Sequence, residues 1–262
     1  MKKIFLILFI ASIFCDEDGH AFAVKVDSRP KPDDIISINK MILIDSKNRE
    51  KELKLISKTK DDSKLQMIWF LKPADDRGTA FLKIEKDGED DFMSMWVPSY
   101  NRYRRISSSK KTDAFMGSDL SFEDLTNRSL DKNDYEYTLV RSKIDCEYNG
   151  AQYDNKCFIL KSKPLYPNSE YSYHKTTILN IKENIYIAID ETSYDKNEVE
   201  LKKKSIVYEH IRNNENDYYI MKKLIVTNVQ ENHTTKLEVS EIEINNGFVD
   251  EMFVERSLKR LP

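Results

Sequence analysis

Acidic side chains are the most abundant groups in this sequence that could do acid–base chemistry, yet their positions favour turns. The chain has 45 Asp and Glu residues, so adjacent carboxylates arise by chance. They occur at Asp75-Asp76, Glu89-Asp90-Asp91 and Glu123-Asp124, mostly beside turn-forming residues. We interpret them as solvated loops and helix caps rather than as a general acid paired with a general base.

Nucleophilic and metal-binding patterns are equally weak. The sequence contains no GxSxG, HExxH or HRD-type motif, and Ser118, which follows Gly117, lacks the second glycine of a nucleophile elbow. His174, His210 and His233 show no metal-ligand spacing, and no CxxC occurs. Phosphate-binding glycine loops are absent from a chain with only six Gly. We therefore expect no enzyme, no metal site and no cofactor.

The charge composition of the chain argues against one class of partner, nucleic acids. The 262 residues include 42 Lys and Arg, and the formal net charge is -3, which disfavours a nucleic-acid binder. Fourteen Tyr and twelve Phe favour β-strands.

The first 23 residues have the pattern of an export signal. Lys2 and Lys3 precede an apolar run over residues 4–15 that is short for a membrane span, and Ala21-Phe22-Ala23 offers a small-x-small cleavage site. We expect residues 1–23 to be a signal peptide and residues 24–262 to form a single exported domain. Acylation at Cys15 is the less favoured alternative, because Phe14 and Ser12 fit a lipoprotein cleavage site poorly.

Two cysteines remain after such a cleavage. Cys146 and Cys157 flank the hairpin signal Asn149-Gly150, and an exported protein can form disulfides. A disulfide and two half-buried thiols both remain open at this stage.

The rest of the chain predicts a long β meander. Strand-like segments occur near residues 51–56, 65–71, 79–84 and 92–97, and again near 135–147, 151–162, 171–182, 185–192, 198–211, 217–229 and 235–244. We expect short helices over 33–40 and 121–125, with Ser121 as N-cap, and a last strand or short helix over 248–258.

Several of these strands are apolar on both faces. Residues 65–71 and 185–189 are nearly all apolar, whereas a sheet open to water on one side alternates. Something must cover the second face, and the two short helices are the candidates. A curved sheet covered so sparsely could enclose an apolar cavity, and a filled core is the alternative.

Four segments carry a more specific pattern. They are FLKPADDRGTAFL at 70–82, MWVPS at 95–99, RRIS at 104–107 and FMGSDLSFED at 115–124. In order and spacing, this stretch resembles the bacterial outer-membrane lipoprotein-sorting family, relatives of the periplasmic lipoprotein carrier (LolA-like). The resemblance extends more weakly from residue 33 to about residue 258.

The resemblance implies a mainly β (α+β) fold, namely a curved, incompletely closed antiparallel β-barrel with short helices over its concave face. It also implies a monomeric periplasmic carrier that holds acyl chains of lipoproteins or lipids in an apolar cavity and helps to sort them to the outer membrane. Its partners would be an inner-membrane release complex and an outer-membrane acceptor. The alternatives are a phospholipid-binding module and an interaction protein that uses the β scaffold without lipid cargo.

The same resemblance implies candidate site residues. The side chains expected to line or gate the cavity are Trp69, Phe81, Trp96, Phe115, Met116 and Phe122. For each of them, packing without ligand contact is the alternative. Arg104 and Arg105 would either tie their loop to Asp119 or Asp124 or face a partner; a solvated hairpin is the other interpretation of the basic cluster at residues 102–111.

Overall fold

One antiparallel sheet dominates the computed structural model, which describes residues 18–86 and 89–262. Within these residues thirteen strands form, in agreement with the predicted meander. In chain order they are Asp34–Ile44 (β1), Glu50–Lys60 (β2), Leu65–Lys72 (β3), Ala80–Ile84 (β4), Phe92–Val97 (β5), Arg102–Ile106 (β6), Tyr135–Tyr148 (β7), Ala151–Pro164 (β8), Tyr173–Lys182 (β9), Ile185–Tyr194 (β10), Glu200–Asn213 (β11), Asn216–Asn228 (β12) and His233–Ile244 (β13).

The strand order shows two meanders joined side by side. It is β6-β5-β4-β3-β2-β1-β13-β12-β11-β10-β9-β8-β7, so β1 pairs with β13 in the middle, while β6 and β7 are the edges. The sheet is curved and not closed, which confirms the expected incompletely closed barrel. Residues 107–134, hereafter the insert, connect the two edge strands and therefore cross the opening of the barrel.

Asparagine takes the place of glycine in many turns. Asn149 and Gly150 both have positive φ, 50° and 74°, between the ends of β7 and β8. Two positive φ values are what a tight hairpin turn matching the twist of its strands requires. The scarcity of glycine therefore does not prevent a hairpin-rich fold.

Both faces of the first meander are covered, as the apolar strands require. On the concave face, Ile68 and Phe70 pack beneath the insert. On the convex face, Met67 and Trp69 pack against Phe253, which directly follows the 3-10 helix Asp250–Met252, and against Leu258 of the 3-10 helix Glu255–Lys259. The expectation that a helix at 33–40 supplies this cover is wrong, because those residues form β1, and the C-terminal segment supplies it instead.

The short helix near 121–125 is present as a single 3-10 turn, Glu123–Leu125. Phe122 occupies its N-cap position, so the prediction of Ser121 as N-cap is wrong by one residue. Ser121 and Asp124 still bond reciprocally: the backbone N–H of Ser121 donates to Asp124 Oδ2 at 2.9 Å, and the N–H of Asp124 donates to Ser121 Oγ at 3.3 Å. Two more short 3-10 turns occur at Pro98–Tyr100 and Ser108–Lys110.

The described residues include one α-helix, Gly19–Asp27 (α1), whose first five residues belong to the segment expected to be removed. Phe22 is fully buried and its ring lies 4.8 Å from that of Phe158 and 5.6 Å from that of Tyr186. A Cβ on Gly19 would meet backbone atoms of β7 at 2.5 Å, so only glycine allows this approach. Residues 1–17, including Cys15, lie outside the described residues. Cleavage after Ala23 stays a prediction, and it would divide α1.

Candidate functional site

The main cavity lies between the concave face of the sheet and the insert. It has a volume of about 380 Å³, with walls from β1, β2, β3, β11, β12 and β13. One part of its wall is apolar, and the side chains there are Met41, Leu55, Ile68, Phe115, Leu120, Leu125, Leu224, Leu237 and Val239. This part of the cavity can hold hydrocarbon, because no charged group has to be desolvated there.

A second cavity of about 230 Å³ lies beside the first, between α1 and the second meander. The two cavities share Arg29, Lys31, Asp62, Asn127 and Tyr208 as wall residues. Lys31 Nζ lies 2.7 Å from a carboxylate oxygen of both Asp27 and Asp62, and Asn127 Nδ2 donates to the backbone oxygen of Asp62 at 2.7 Å. The partition between the cavities is thus a set of hydrogen-bonded polar side chains.

Aromatic rings hold the insert on the first meander. Phe115 is buried and lies 5.9 Å from Phe70, 5.3 Å from Phe81 and 5.7 Å from Phe122, measured between ring centroids. A small hairpin presents this ring, since the N–H of Phe115 donates to Leu120 O at 2.7 Å. In the turn of this hairpin both Met116 and Gly117 have positive φ, a backbone conformation that glycine adopts more readily than other residues.

Ion pairs hold the insert on the second meander. The Asp124 carboxylate, 2% exposed, lies 3.1 Å from Lys202 Nζ and 2.6 Å from Lys204 Nζ, and it accepts a hydrogen bond from Tyr171 Oη at 2.8 Å. Burial alone would raise the pKa of Asp124, but the charges of Lys204 and Lys202 outweigh it and lower that pKa below its ordinary value. Burial lowers the pKa of Lys204, yet Asp124 and Glu191 reverse this and raise it to about 12.

The ion pairs continue around Glu191. Arg128 of the insert lies 2.6 Å from Glu191 Oε2, and Lys204 Nζ lies 3.1 Å from its Oε1. Burial opposes ionisation of Glu191, but Arg128 and Lys204 hold its pKa well below the usual value. His174, with Nδ1 at 2.8 Å from Ser193 Oγ, has a pKa lowered well below its usual value by burial and by the nearby Arg128. This histidine is therefore neutral inside a charged network.

Two further carboxylates of the insert bind the second meander and its flanking loop. Glu123 accepts hydrogen bonds from Tyr166 Oη, Ser169 Oγ and the N–H of Glu170. Asp119 lies 2.8 Å from His233 Nδ1 and accepts from Thr235 Oγ1 at 2.7 Å. All three acidic residues of FMGSDLSFED thus act as anchors of the insert.

The structure brings four of the six candidate cavity residues together. Phe81, Phe115 and Phe122 form the aromatic cluster and Met116 packs beside it, with Phe115 also in the cavity wall. Phe115 alone of the six candidates is in the wall of this cavity, so the expectation that the others line it is wrong; Trp69 and Trp96 lie farthest from the predicted position. Alternation along β3 and β5 turns both indoles to the convex face, where Trp69 Nε1 donates to Leu258 O at 3.2 Å.

Arg104 and Arg105 do not tie the insert to Asp119 or Asp124, whose partners come from the second meander. Both lie on the edge strand β6, which sequence reasoning took for part of a loop. Arg105 stacks over Phe92 at 4.5 Å, and Arg104 is exposed. In the described part of the chain neither forms an ion pair with a carboxylate.

The residues that surround Asp124 in this network were not predicted as site residues. Lys202 and Lys204 lie in a run of lysines typical of a solvated face, and Arg128, His174 and Glu191 stand in separate segments. The one available signal was the set of closely spaced acidic residues at 119–124, which need cations if the segment is buried.

Cys146 and Cys157 form a disulfide, with Cα atoms 6.0 Å apart. They are not directly opposite, since Cys146 pairs in register with Tyr153, and irregularities in the β7–β8 ladder bring the sulfurs together. Among the described residues no group of three or more His, Cys, Asp or Glu could hold a metal ion. In the same part of the chain, no helix has the length and apolar character needed to cross a membrane.

Comparison with known proteins gives a consistent family. A family model described as that of an uncharacterized protein matches residues 62–260, and no curated protein matches the chain. A solved outer membrane lipoprotein-sorting protein domain from Vibrio parahaemolyticus is 24% identical, covers 92% of this chain and 98% of its own, and superposes with a TM-score of 0.80.

Two other solved structures share the architecture. A DUF1329 family protein from Desulfovibrio piger is 25% identical, with 92% and 97% coverage of the two chains and a TM-score of 0.77. A LolA superfamily protein from Nitrosomonas europaea is 14% identical, with 92% and 99% coverage and a TM-score of 0.65. The family model covers more than half of the chain, and together with these structural matches it leads to one assignment: the chain belongs to the LolA-like family of outer-membrane lipoprotein-sorting proteins.

Proposed function

We propose that this protein is a periplasmic carrier that binds acyl chains of lipoproteins or lipids and helps to sort them to the outer membrane. The observation that carries the proposal is the cavity under the insert, whose wall is apolar along one part and is formed by both meanders. The likeness to lipoprotein-sorting domains supports a lipid-binding role.

The physical need for such a cavity is simple. Each methylene moved out of water contributes about 0.8 kcal/mol, so an acylated protein does not cross an aqueous compartment unprotected. A container that binds by burial alone needs no covalent step. Transfer then follows the relative affinities of donor, carrier and acceptor, and we propose a non-enzymatic role on this ground.

The edge strand β6 is the surface that we propose for contact with a membrane-bound partner. Arg102 and Arg104 are exposed on it beside Tyr100, which is 70% exposed. Arg102 stacks over the Tyr100 ring at 5.2 Å. Cations held by aromatic rings rather than carboxylates keep their charge available for an acidic partner surface, such as that of a release complex or an acceptor. We propose that a monomer presents this edge.

Native mass spectrometry of protein purified from its own periplasm tests the carrier role. We expect co-purified acyl species, and we expect Leu237→Asp to remove them because it places a charge in the apolar wall. The matched control is Val199→Asp, which adds the same charge at an exposed turn position outside the cavity.

Each outcome favours one interpretation. Acyl-bearing protein in the wild type and in the control, but not in the folded cavity variant, supports the carrier. Bound phospholipid without lipoprotein supports a phospholipid-binding module. Lipid-free wild-type protein contradicts the carrier and favours an interaction protein built on the β scaffold.

A further inference from the structure

The main cavity has a polar stripe on its sheet wall. Ser37, Asn39, Ser57, Thr59 and Gln66 all line it, from the adjacent strands β1, β2 and β3. The strand register makes the stripe continuous, since Ser37 lies opposite Ser57 and Thr59 lies opposite Gln66. A wall meant only for hydrocarbon would have apolar residues at these positions.

Most of the hydrogen-bonding capacity of the stripe is unused. Asn39 Nδ2 donates to Ser37 Oγ at 3.0 Å. The side chains of Ser57, Thr59 and Gln66 have no hydrogen-bond partner in the described part of the chain, and Gln66 Oε1 is buried. A buried acceptor without a partner is rare in folded proteins and costs free energy, so a group that satisfies it would bind favourably.

The cations around this end of the cavity are already occupied. Arg29 donates to the backbone oxygen of Tyr219 at 2.8 Å, Lys31 lies between Asp27 and Asp62, and Lys60 pairs with Asp250. A carboxylate or phosphate entering here would lose hydration without gaining a free cation, which is unfavourable. A neutral group with hydroxyl or amide hydrogens meets no such penalty.

We propose that the stripe binds the neutral, hydrogen-bonding junction of an acyl amphiphile. The ligand class is an acyl glycerol or acyl amide, with its chain along Met41, Leu55 and Leu237 and its hydroxyl or N–H groups on Ser57, Thr59 and Gln66. The proposal rests on the proposed carrier function and names the chemistry of its ligand. The same junction chemistry occurs in a free monoacylglycerol and in an N-acylated lipopeptide.

Competition against a fluorescent acyl probe, with the full chain, tests this proposal. The competitors are monopalmitoylglycerol, a palmitoylated lipopeptide with an N-acyl amide, and palmitate. Each net hydrogen bond to a neutral group changes affinity by about fivefold, so we expect the glyceride to bind at least about tenfold more tightly than palmitate at neutral pH. A lipopeptide that binds as tightly as the glyceride points to protein cargo, and a weaker one to free lipid.

The variant Ser57→Ala/Thr59→Val/Gln66→Leu should remove that preference by weakening glyceride binding about tenfold while palmitate binding is kept. The near-isosteric Thr59→Val alone should weaken glyceride binding by about fivefold, and it keeps the test valid if the triple variant does not fold. The matched control is Gln152→Leu, at an exposed position of β8 outside the cavity.

Equal affinity of the wild type for glyceride and palmitate overturns the polar subsite while leaving the carrier role intact. So does a folded triple variant with unchanged preference. A protein that binds neither these competitors nor the probe contradicts the carrier role itself, so the two failures are distinguishable.

Discussion

The two meanders hold the same insert by opposite chemistry. On the first, Phe115 and Phe122 of the insert pack against Phe70 and Phe81 in a buried aromatic cluster. On the second, the carboxylates of the insert meet buried lysines, an arginine and hydroxyl groups. The insert is thus apolar where it contacts the first meander and charged where it contacts the second. The cavity lies between these two contacts.

The difference has a consequence for how the cavity keeps its shape. Apolar burial is non-directional and tolerates small shifts, whereas a buried ion network is stable only when every member has its partner. We infer that the aromatic side supplies much of the attachment energy and that the ionic side fixes the position of the insert over the cavity.

The largest expected effect is on the ionic side. Asp124→Asn leaves Lys202 and Lys204 without their shared carboxylate, and we expect it to lower the free energy of unfolding by about 5 kcal/mol, the upper end for a broken buried pair. Urea unfolding measures this. The control is Asp154→Asn at an exposed position of β8, where a change below about 0.5 kcal/mol is expected.

A compensated variant sharpens the same point. In Asp124→Leu/Lys202→Met/Lys204→Met no uncompensated charge remains at this contact, so most of the lost stability should return. Without the ion pairs, the position of the insert over the cavity should be less fixed. We expect this to weaken the binding of an acyl probe, which a titration measures. If the triple variant is as unstable as Asp124→Asn, the stability of the contact does not depend on charge compensation.

A substitution on the aromatic side should lower the free energy of unfolding somewhat less than Asp124→Asn does. Phe115→Ala removes a fully buried ring that also lines the cavity, and we expect a loss of about 4 kcal/mol. Phe115→Leu keeps most of the volume and should cost less than about 1.5 kcal/mol. Thermal and urea unfolding of both variants give the comparison; a loss for Phe115→Ala that exceeds the loss for Asp124→Asn would reverse the ranking of the two sides.

The N-terminal helix gives a third, smaller effect. A chain that starts at Val24 lacks Phe22, whose ring is buried against Phe158 and Tyr186, and we expect it to be about 3 kcal/mol less stable than a chain that starts at Asp18. Intact mass of the secreted protein shows which start occurs in the cell. Equal stability of the two chains would mean that α1 is dispensable and that cleavage after Ala23 is harmless.

Much of the fold follows from local pattern. The meander, the covered strands near residues 65–71 and the turn at Asn149-Gly150 are visible because alternation and turn residues are local signals. The prediction that Trp69 and Trp96 line the cavity is wrong, since strands that are apolar on both sides do not show which face is concave. The partners of Asp124 were hidden too, because Lys202 and Lys204 look like a solvated run until the long connection folds back over them.

The smallest expected effect concerns pH and tests the ionic side without removing a charge. His174 faces Arg128, Glu191, Lys204, Asp124 and Tyr171, and its pKa in the folded state lies well below its ordinary value, so it stays neutral there while the unfolded chain takes up a proton near pH 6.5. Stability should therefore fall as the pH drops below about 6.5, by about 1.4 kcal/mol per pH unit. Asp124 and Glu191, whose pKa values are also lowered, add a second loss below about pH 4.5.

The variant His174→Asn separates the two losses. Its amide can replace the contact to Ser193, so the first loss of stability should disappear while the second remains. The control His210→Asn, on the exposed surface, should keep both losses. Urea unfolding between about pH 2.5 and pH 8 measures both steps. A first loss that persists in His174→Asn would show that the buried histidine is not its source.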